Sequence, residues 1–165
     1  MLLVALSVAG YYFYIFSHNQ HMNDNEDMRN KLSAEEYRVM YEKGTEKPFS
    51  SALNDEHRKG TYVTADSGLP VYRSEDKFDS GTGWPSFTEP IEGSVELRED
   101  NTLFTKRLEV VSKDTGAHLG HVFDDLPATW PRQAGGPPPD GKRYCMNGVA
   151  LRFVLDEEGT KNTDQ

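Results

Sequence analysis

The sequence predicts an antiparallel, mainly β domain preceded by one short helix, and three observations carry that expectation. From residue 60 onward, β-branched and aromatic residues recur in six short runs, TYVT, LPVY, SVEL, LFTKRLEVV, HVF and VALRFVL. This is the composition that suits a pleated, half-buried surface. Gly, Pro, Asp and Ser separate the runs, and no long helical stretch lies between them to make the crossovers of a parallel sheet. The one clear helix start lies upstream, where Ser33 precedes Glu36 by three positions as in a capping box.

Taken in order, the chain begins with an uncharged stretch, Leu2 to Phe16 (LLVALSVAGYYFYIF), followed by the polar HNQHMNDNEDMRN. That break marks residues 1–17 as an apolar targeting segment or membrane anchor, which makes the protein exported or membrane-anchored, with a cytoplasmic location the alternative. Fifteen residues at about 1.5 Å each reach roughly 22 Å, short of the ~30 Å hydrocarbon core. Residues 18–30 read as a polar linker without periodicity, 31–157 as the folded domain and 158–165 as a tail. Tyr37, Val39, Met40 and Tyr41 supply an apolar helix face over roughly 34–43, and Gly44 is placed to stop it. GGPPPD, residues 135–140, is a loop, because consecutive prolines cannot join a ladder. There is no internal repeat.

A chain of 165 residues holds one domain with a real core. Its formal net charge of −9, with no basic run, argues against nucleic acid as a partner, since phosphate binding leans on clustered Lys and Arg. A single cysteine, Cys145, excludes an intramolecular disulfide and a structural zinc site built from thiolates.

That cysteine lies in GKRYCMNGVALRF, between Arg143 and Asn147. On a strand, residues 143, 145 and 147 share one face, which brings a cation within reach of the sulfur. A free thiol is only about 3% thiolate at pH 7, and a guanidinium nearby lowers its pKa toward a useful nucleophile. Val149, Leu151 and Phe153 continue the same parity yet are apolar, so a bulge or turn at Asn147-Gly148 is expected to reset the phase. Taken alone, a lone cysteine on a strand is most often a small buried hydrophobe.

Two further stretches complete the polar inventory. In GAHLGHVFDD, His118 and His121 stand three apart, on opposite faces of a regular strand, although Gly120 permits a bend that turns both inward. Two imidazoles suit acid and base work beside a thiolate, and with Asp124 and Asp125 they keep a metal site open as an alternative. In SGTGWPSF, glycines frame Thr82, and Trp84 and Phe87 offer an apolar wall that is equally readable as a core-lining loop.

Together these stretches resemble the type B methionine sulfoxide reductases, which reduce the R epimer of methionine sulfoxide. The resemblance spans about residues 32–156 and runs through SAEEYRVMYEKGTEKPFS, SEDKFDSGTGWPSF, GAHLGHVFDD and RYCMN…LRF in the family's order. It implies two antiparallel sheets in a tent-like or barrel-like reductase domain. It further implies Cys145 as the nucleophile, His121 as general acid with His118 as its supporting partner, and Arg143 and Asn147 holding the thiolate and the polar end of the substrate. Trp84, with Phe87 and Phe123, would receive the S-methyl end. The substrate would be methionine sulfoxide, free or within oxidised proteins, acted on by a monomer.

The sequence also departs from the family. Thr82 stands where many members carry a resolving cysteine, and Thr64, Ser67, Ser112 and Thr115 stand where many carry the two CxxC pairs of a structural zinc. No zinc and no other cofactor is therefore expected, and Cys145 would be regenerated by an external thiol such as thioredoxin. The stretch LPATWPRQAGG, residues 126–136, and Gly148-Val149 are less usual for the family. The alternative readings are an inactive relative that binds methionine or its sulfoxide, and a metal-dependent enzyme using the two histidines with an aspartate.

Overall fold

The computed structural model describes residues 26–101, 107–124 and 141–156. The targeting segment, most of the linker, the first part of LFTKRLEVV, the 126–136 stretch, the GGPPPD loop and the tail lie outside the described residues.

The domain is mainly β, as the spacing of its apolar runs requires. Helix α1 (Ala34–Met40) opens on the capping box: Ser33 Oγ accepts from the Glu36 N–H while the Glu36 carboxylate accepts from the Ser33 N–H. It buries Val39 and Met40 and stops three residues earlier than the apolar pattern suggests. The left-handed position is taken by Lys43 (φ 55°), not Gly44, and the Gly44 N–H closes the end on the Arg38 carbonyl. Residues 26–31 are helical too, where a linker is expected. Met28 packs on the core and Leu32 is buried in it, so tertiary contact overrides a polar local sequence.

Among the described residues, nine strands form two antiparallel sheets. The smaller has the order β2 (Pro70–Arg73), β1 (Gly60–Thr64), β9 (Leu151–Leu155), and Pro70 starts an edge strand where no ladder hydrogen bond is asked of it. The larger has the order β3 (Lys77–Phe78), β4 (Ser86–Phe87), β8 (Arg143–Met146), β7 (His118–Phe123), β6 (Arg107–Ser112), β5 (Val95–Asp100). The run VALRFVL is not one strand: Gly148–Ala150 is a 3-10 turn and only Leu151–Leu155 pairs. That turn is the phase reset which the parity of 143–153 demands, and it moves the chain from the larger sheet to the smaller.

The core lies between the sheets and α1. Tyr72 stacks on Phe87 with ring centroids 4.2 Å apart, Tyr62 meets the edge of Phe87 at 4.9 Å, and the Tyr72 hydroxyl reaches Met146 Sδ at 3.1 Å. Fully burying such rings contributes on the order of 2 kcal/mol each before packing terms. Gly120 permits β7 and β8 to approach, because a Cβ there would stand 2.2 Å from the Cys145 carbonyl oxygen.

Candidate active site

Register decides which polar side chains meet. Cys145 stands opposite His121 on one side and Ser86 on the other, and Arg143 stands opposite Phe123. Across the next strands, His121 pairs with Glu109, and Asp100 with Arg107. Side chains of paired residues share a face. One face of the larger sheet therefore carries Asp100, Arg107, Glu109, His121, Phe123, Arg143, Cys145 and Ser86, while the other sends Val110, Val122, Tyr144, Met146 and Phe87 into the core. Phe87 is thus not part of the apolar wall expected beside Trp84: it is fully buried, because adjacent residues on a strand face opposite ways.

His118 joins this face through a one-residue slip. The β6–β7 register shifts between Val110 and Val111, which pair with Gly120 and His118, so Leu119 is the extra residue. The slip restores parity between His118 and His121, whose rings meet edge to face with centroids 5.2 Å apart. No hydrogen bond joins the two rings. Each imidazole has a carboxylate of its own. His118 Nδ1 bonds Glu109 Oε1 at 2.9 Å, and Lys43 Nζ donates to Glu109 Oε2 at 2.9 Å. His121 Nε2 bonds Asp100 Oδ2 at 2.8 Å, and Arg107 Nη2 donates to the same oxygen at 2.7 Å.

The thiol is partly exposed beneath the glycine-rich turn. Thr82 Oγ1 lies 3.8 Å from Cys145 Sγ, and Ser80 ties Thr82 to Ser86 through hydroxyl contacts of 2.8 and 2.7 Å. Arg143 spreads its guanidinium over the Phe123 ring, 4.6 Å from the centroid, which fixes both along the rim beside His121. Trp84 is half-buried and donates its Nε1–H to the Glu46 carbonyl at 3.3 Å.

Glu46 and Asn147 form the joint behind the thiol. Asn147 Oδ1 accepts from the Glu46 N–H at 3.0 Å and its Nδ2 donates to the Leu119 carbonyl at 3.1 Å, so much of its amide serves the fold. The buried Glu46 carboxylate accepts the N–H groups of Gly148 and Val149, satisfying the turn that follows Asn147. Burial raises the Glu46 pKa more than those two bonds lower it.

Electrostatics at the site run against a preformed ion pair. Burial pushes the Cys145 thiol up, more than Thr82, Arg143 and Ser86 pull it down, so Arg143 does not by itself make a resting thiolate common. Burial also lowers both histidines, against the pull of Glu109 on His118 and of Asp100 on His121. Glu109 is held below the usual carboxylate range by Lys43 and His118, in spite of its burial. The low-dielectric setting thus favours a neutral thiol beside neutral imidazoles until substrate arrives.

Asp100, Glu109, Lys43, Arg107, Glu46, Ser80 and Ser86 are not picked out by sequence reasoning. Glu109 carried a signal, a charge inside the apolar run LEVV, where a buried acid requires a partner. The other contacts join residues distant in the chain and have no local signature. At the positions matching a family zinc site, Thr64 Oγ1 contacts Ser67 Oγ at 2.9 Å, and Thr115 donates to Asp66 Oδ2 at 2.7 Å beside Tyr41. Hydroxyls are not zinc's protein ligands, and four of them with one carboxylate do not fit such a site. Among the described residues no group of three or more His, Cys, Asp or Glu is gathered as for a metal.

Comparison with known proteins agrees with this geometry. The SelR domain family model matches residues 32–155. A peptide methionine sulfoxide reductase MsrB of Methanosarcina mazei is 44% identical over 147 residues, covering 88% of this chain and 98% of the relative. The MsrB of Methanosarcina barkeri is 44% identical over 141 residues, covering 85% and 92%. That of Leptospira interrogans is 41% identical over 130 residues, covering 78% and 92%. With the four motifs in order, the thiol facing two carboxylate-held histidines and these matches over most of its length, the chain belongs to the MsrB family of methionine sulfoxide reductases.

Proposed function

We propose that the protein reduces the R epimer of methionine sulfoxide to methionine through a cycle with one cysteine and an external thiol. The observation that carries the reading is the accessible Cys145 directly across the β7–β8 ladder from His121, with His118 beside it. The half-buried Trp84 would take the S-methyl end of the substrate, with Phe123 lining the opposite rim. The choice of the R epimer follows from the family.

As the Cys145 sulfur attacks the sulfoxide sulfur, its thiol proton passes to His121, which delivers it to the sulfoxide oxygen; the resulting hydroxyl moves to the Cys145 sulfur as the substrate S–O bond and the transient S–S bond break. Substrate sulfur gains two electrons and leaves as methionine. Cys145 loses two and keeps the oxygen as a sulfenic acid. An external thiol then condenses with it, releasing water and leaving a mixed disulfide, and a second thiol restores Cys145. Thr82 contributes no sulfur, which supports external regeneration by a thioredoxin-like protein or a small thiol. The hydroxyls at 64, 67, 112 and 115 support a domain that folds without zinc.

The test is turnover of the separated R and S epimers of a peptide methionine sulfoxide with dithiothreitol, comparing the protein with Cys145→Ser. Reduction of the R epimer alone, lost in the variant, is the expected result. Without reductant, one methionine per protein and a mass gain of about 16 Da, one oxygen atom, should appear on Cys145. Binding without turnover of either epimer would leave the binding-module alternative. For the N-terminus we infer export or membrane attachment, supported by the uncharged Leu2 to Phe16 stretch. Among the described residues no helix is long and apolar enough to cross a membrane. A reporter carrying residues 1–25 that stays in the cytoplasm would overturn this inference.

A further inference from the structure

A histidine that donates to a sulfoxide oxygen has two requirements: an N–H facing the substrate, and a second nitrogen held so that the ring does not turn. The environment of His121 meets the second in a way that motif reading does not suggest. Its Nε2 lies 2.8 Å from Asp100 Oδ2, and Asp100, two strands away on β5, is gripped in turn by Arg107 at 2.7 Å. The three side chains are largely buried, with 14% exposure for His121, 11% for Asp100 and 25% for Arg107. Among the described residues, His121 Nδ1 has no hydrogen-bond partner.

We propose that Asp100 is the positioning residue for the acid His121: its carboxylate takes the Nε2–H, leaves Nδ1 to give its proton to the sulfoxide oxygen, and stabilises the imidazolium that does so. This rests on the reductase reading above. A carboxylate paired with Arg107 accepts hydrogen bonds and does not donate them, so Nε2 carries hydrogen in both protonation states of the ring. Any proton that His121 passes to substrate therefore comes from Nδ1. After transfer the ring is neutral with its remaining proton on Nε2, still hydrogen-bonded to Asp100, and the proton that left the Cys145 thiol through Nδ1 resides on the Cys145 sulfenic acid, so charge and atoms balance. The sulfoxide sulfur has been reduced and the cysteine sulfur oxidised by the same two electrons.

The alternative holder, His118, is already engaged. Its Nδ1 is committed to Glu109, and its ring meets His121 only edge to face. The charges around His121 come from every adjacent strand: Asp100 from β5, Arg107 and Glu109 from β6, His118 from β7, and Arg143 with Cys145 from β8. Burial is the largest influence and opposes the cation, as does Arg107, while Asp100 is the strongest influence favouring it. Removing the Asp100 charge must therefore make His121 harder to protonate.

The experiment measures single-turnover methionine formation against pH for the full chain, Asp100→Asn and Asp100→Glu, and the His121 tautomer by nitrogen-15 NMR of the substrate-free protein. For Asp100→Asn we expect a rate lower by roughly tenfold to a hundredfold, part of what a general acid supplies. Its alkaline limb should move to lower pH, with little change in KM, and the Nε2–H tautomer should cease to dominate. Asp100→Glu should hold the limb near its original pH even if slower. An Asp100→Asn profile that superimposes on the wild type after scaling, or an unchanged tautomer, would overturn the proposal. The NMR readout needs no turnover. A wild-type protein that reduces neither epimer would instead sink the reductase reading while leaving the tautomer measurement intact.

Discussion

Cys145 shows how a single residue's chemistry is set by competing effects of similar size. A guanidinium and two hydroxyls pull its pKa down, burial pushes it up, and burial wins. Alkylation by iodoacetamide should accordingly rise with pH through a midpoint above that of an ordinary cysteine. Arg143→Met and Thr82→Val should each move that midpoint further up, because each removes an influence favouring the thiolate. A midpoint below the ordinary value in the unmodified protein would contradict this balance. Thr82 permits a second test at this scale. Its Oγ1 is 3.8 Å from Sγ, so Thr82→Cys should end a turnover without reductant as an intramolecular disulfide, detected as loss of two thiols, where the parent stops at the sulfenic acid. If Thr82→Cys retains a free thiol after turnover, the turn does not bring position 82 to the nucleophile.

At the level of elements, the site depends on two interruptions of regular strands. The slip at Leu119 puts two histidines with odd spacing on one face, and the 3-10 turn after Asn147 lets β8 present Cys145 outward while β9 sends Leu151 inward. Alternation alone then separates Ser86, beside the thiol, from Phe87, under the sheet. Phe87→Ala should destabilise the protein by about 3–5 kcal/mol, the usual cost of emptying a buried ring. It should leave activity per folded molecule nearly unchanged, as measured by denaturant unfolding alongside turnover below the melting temperature. Loss of activity in a variant shown to be fully folded would return Phe87 to the substrate wall. Much of this level was legible beforehand: the helix start at Ser33, the antiparallel strands and the break at Asn147-Gly148 all have local signatures. The two-residue strands β3 and β4 do not, since pairing with a neighbour, not propensity, makes them strands.

For the molecule as a whole, the buried His118–Glu109 pair, tied to the exposed Lys43, links the site to stability. His118 has its pKa lowered on folding, so the unfolded chain takes up the proton first. The stability held by the neutral ring is complete above the ordinary value near 6.5 and is lost as pH falls through it toward the folded value. Each proton taken up on unfolding is worth at most about 1.4 kcal/mol per pH unit. Melting temperature should therefore fall between pH 7.5 and 5.5, and His118→Gln should make that fall shallower. Glu46, with a raised pKa, acts in the opposite sense but equally in both proteins, so the difference isolates His118. Parallel slopes would show that His118 is not the linked group.

The sequence by itself determined the family and the antiparallel β class, and it singled out Cys145, His118 and His121 as candidates, because each rests on residue types at short spacing that any fold must respect. Only the tertiary structure decided the company those residues keep. Asp100 and Arg107 on His121, Glu109 and Lys43 on His118, and Glu46 behind Asn147 come together from strands and loops far apart in the chain. Hydrogen bonds of this kind depend on register and on a one-residue slip, and those are settled when the sheets pair.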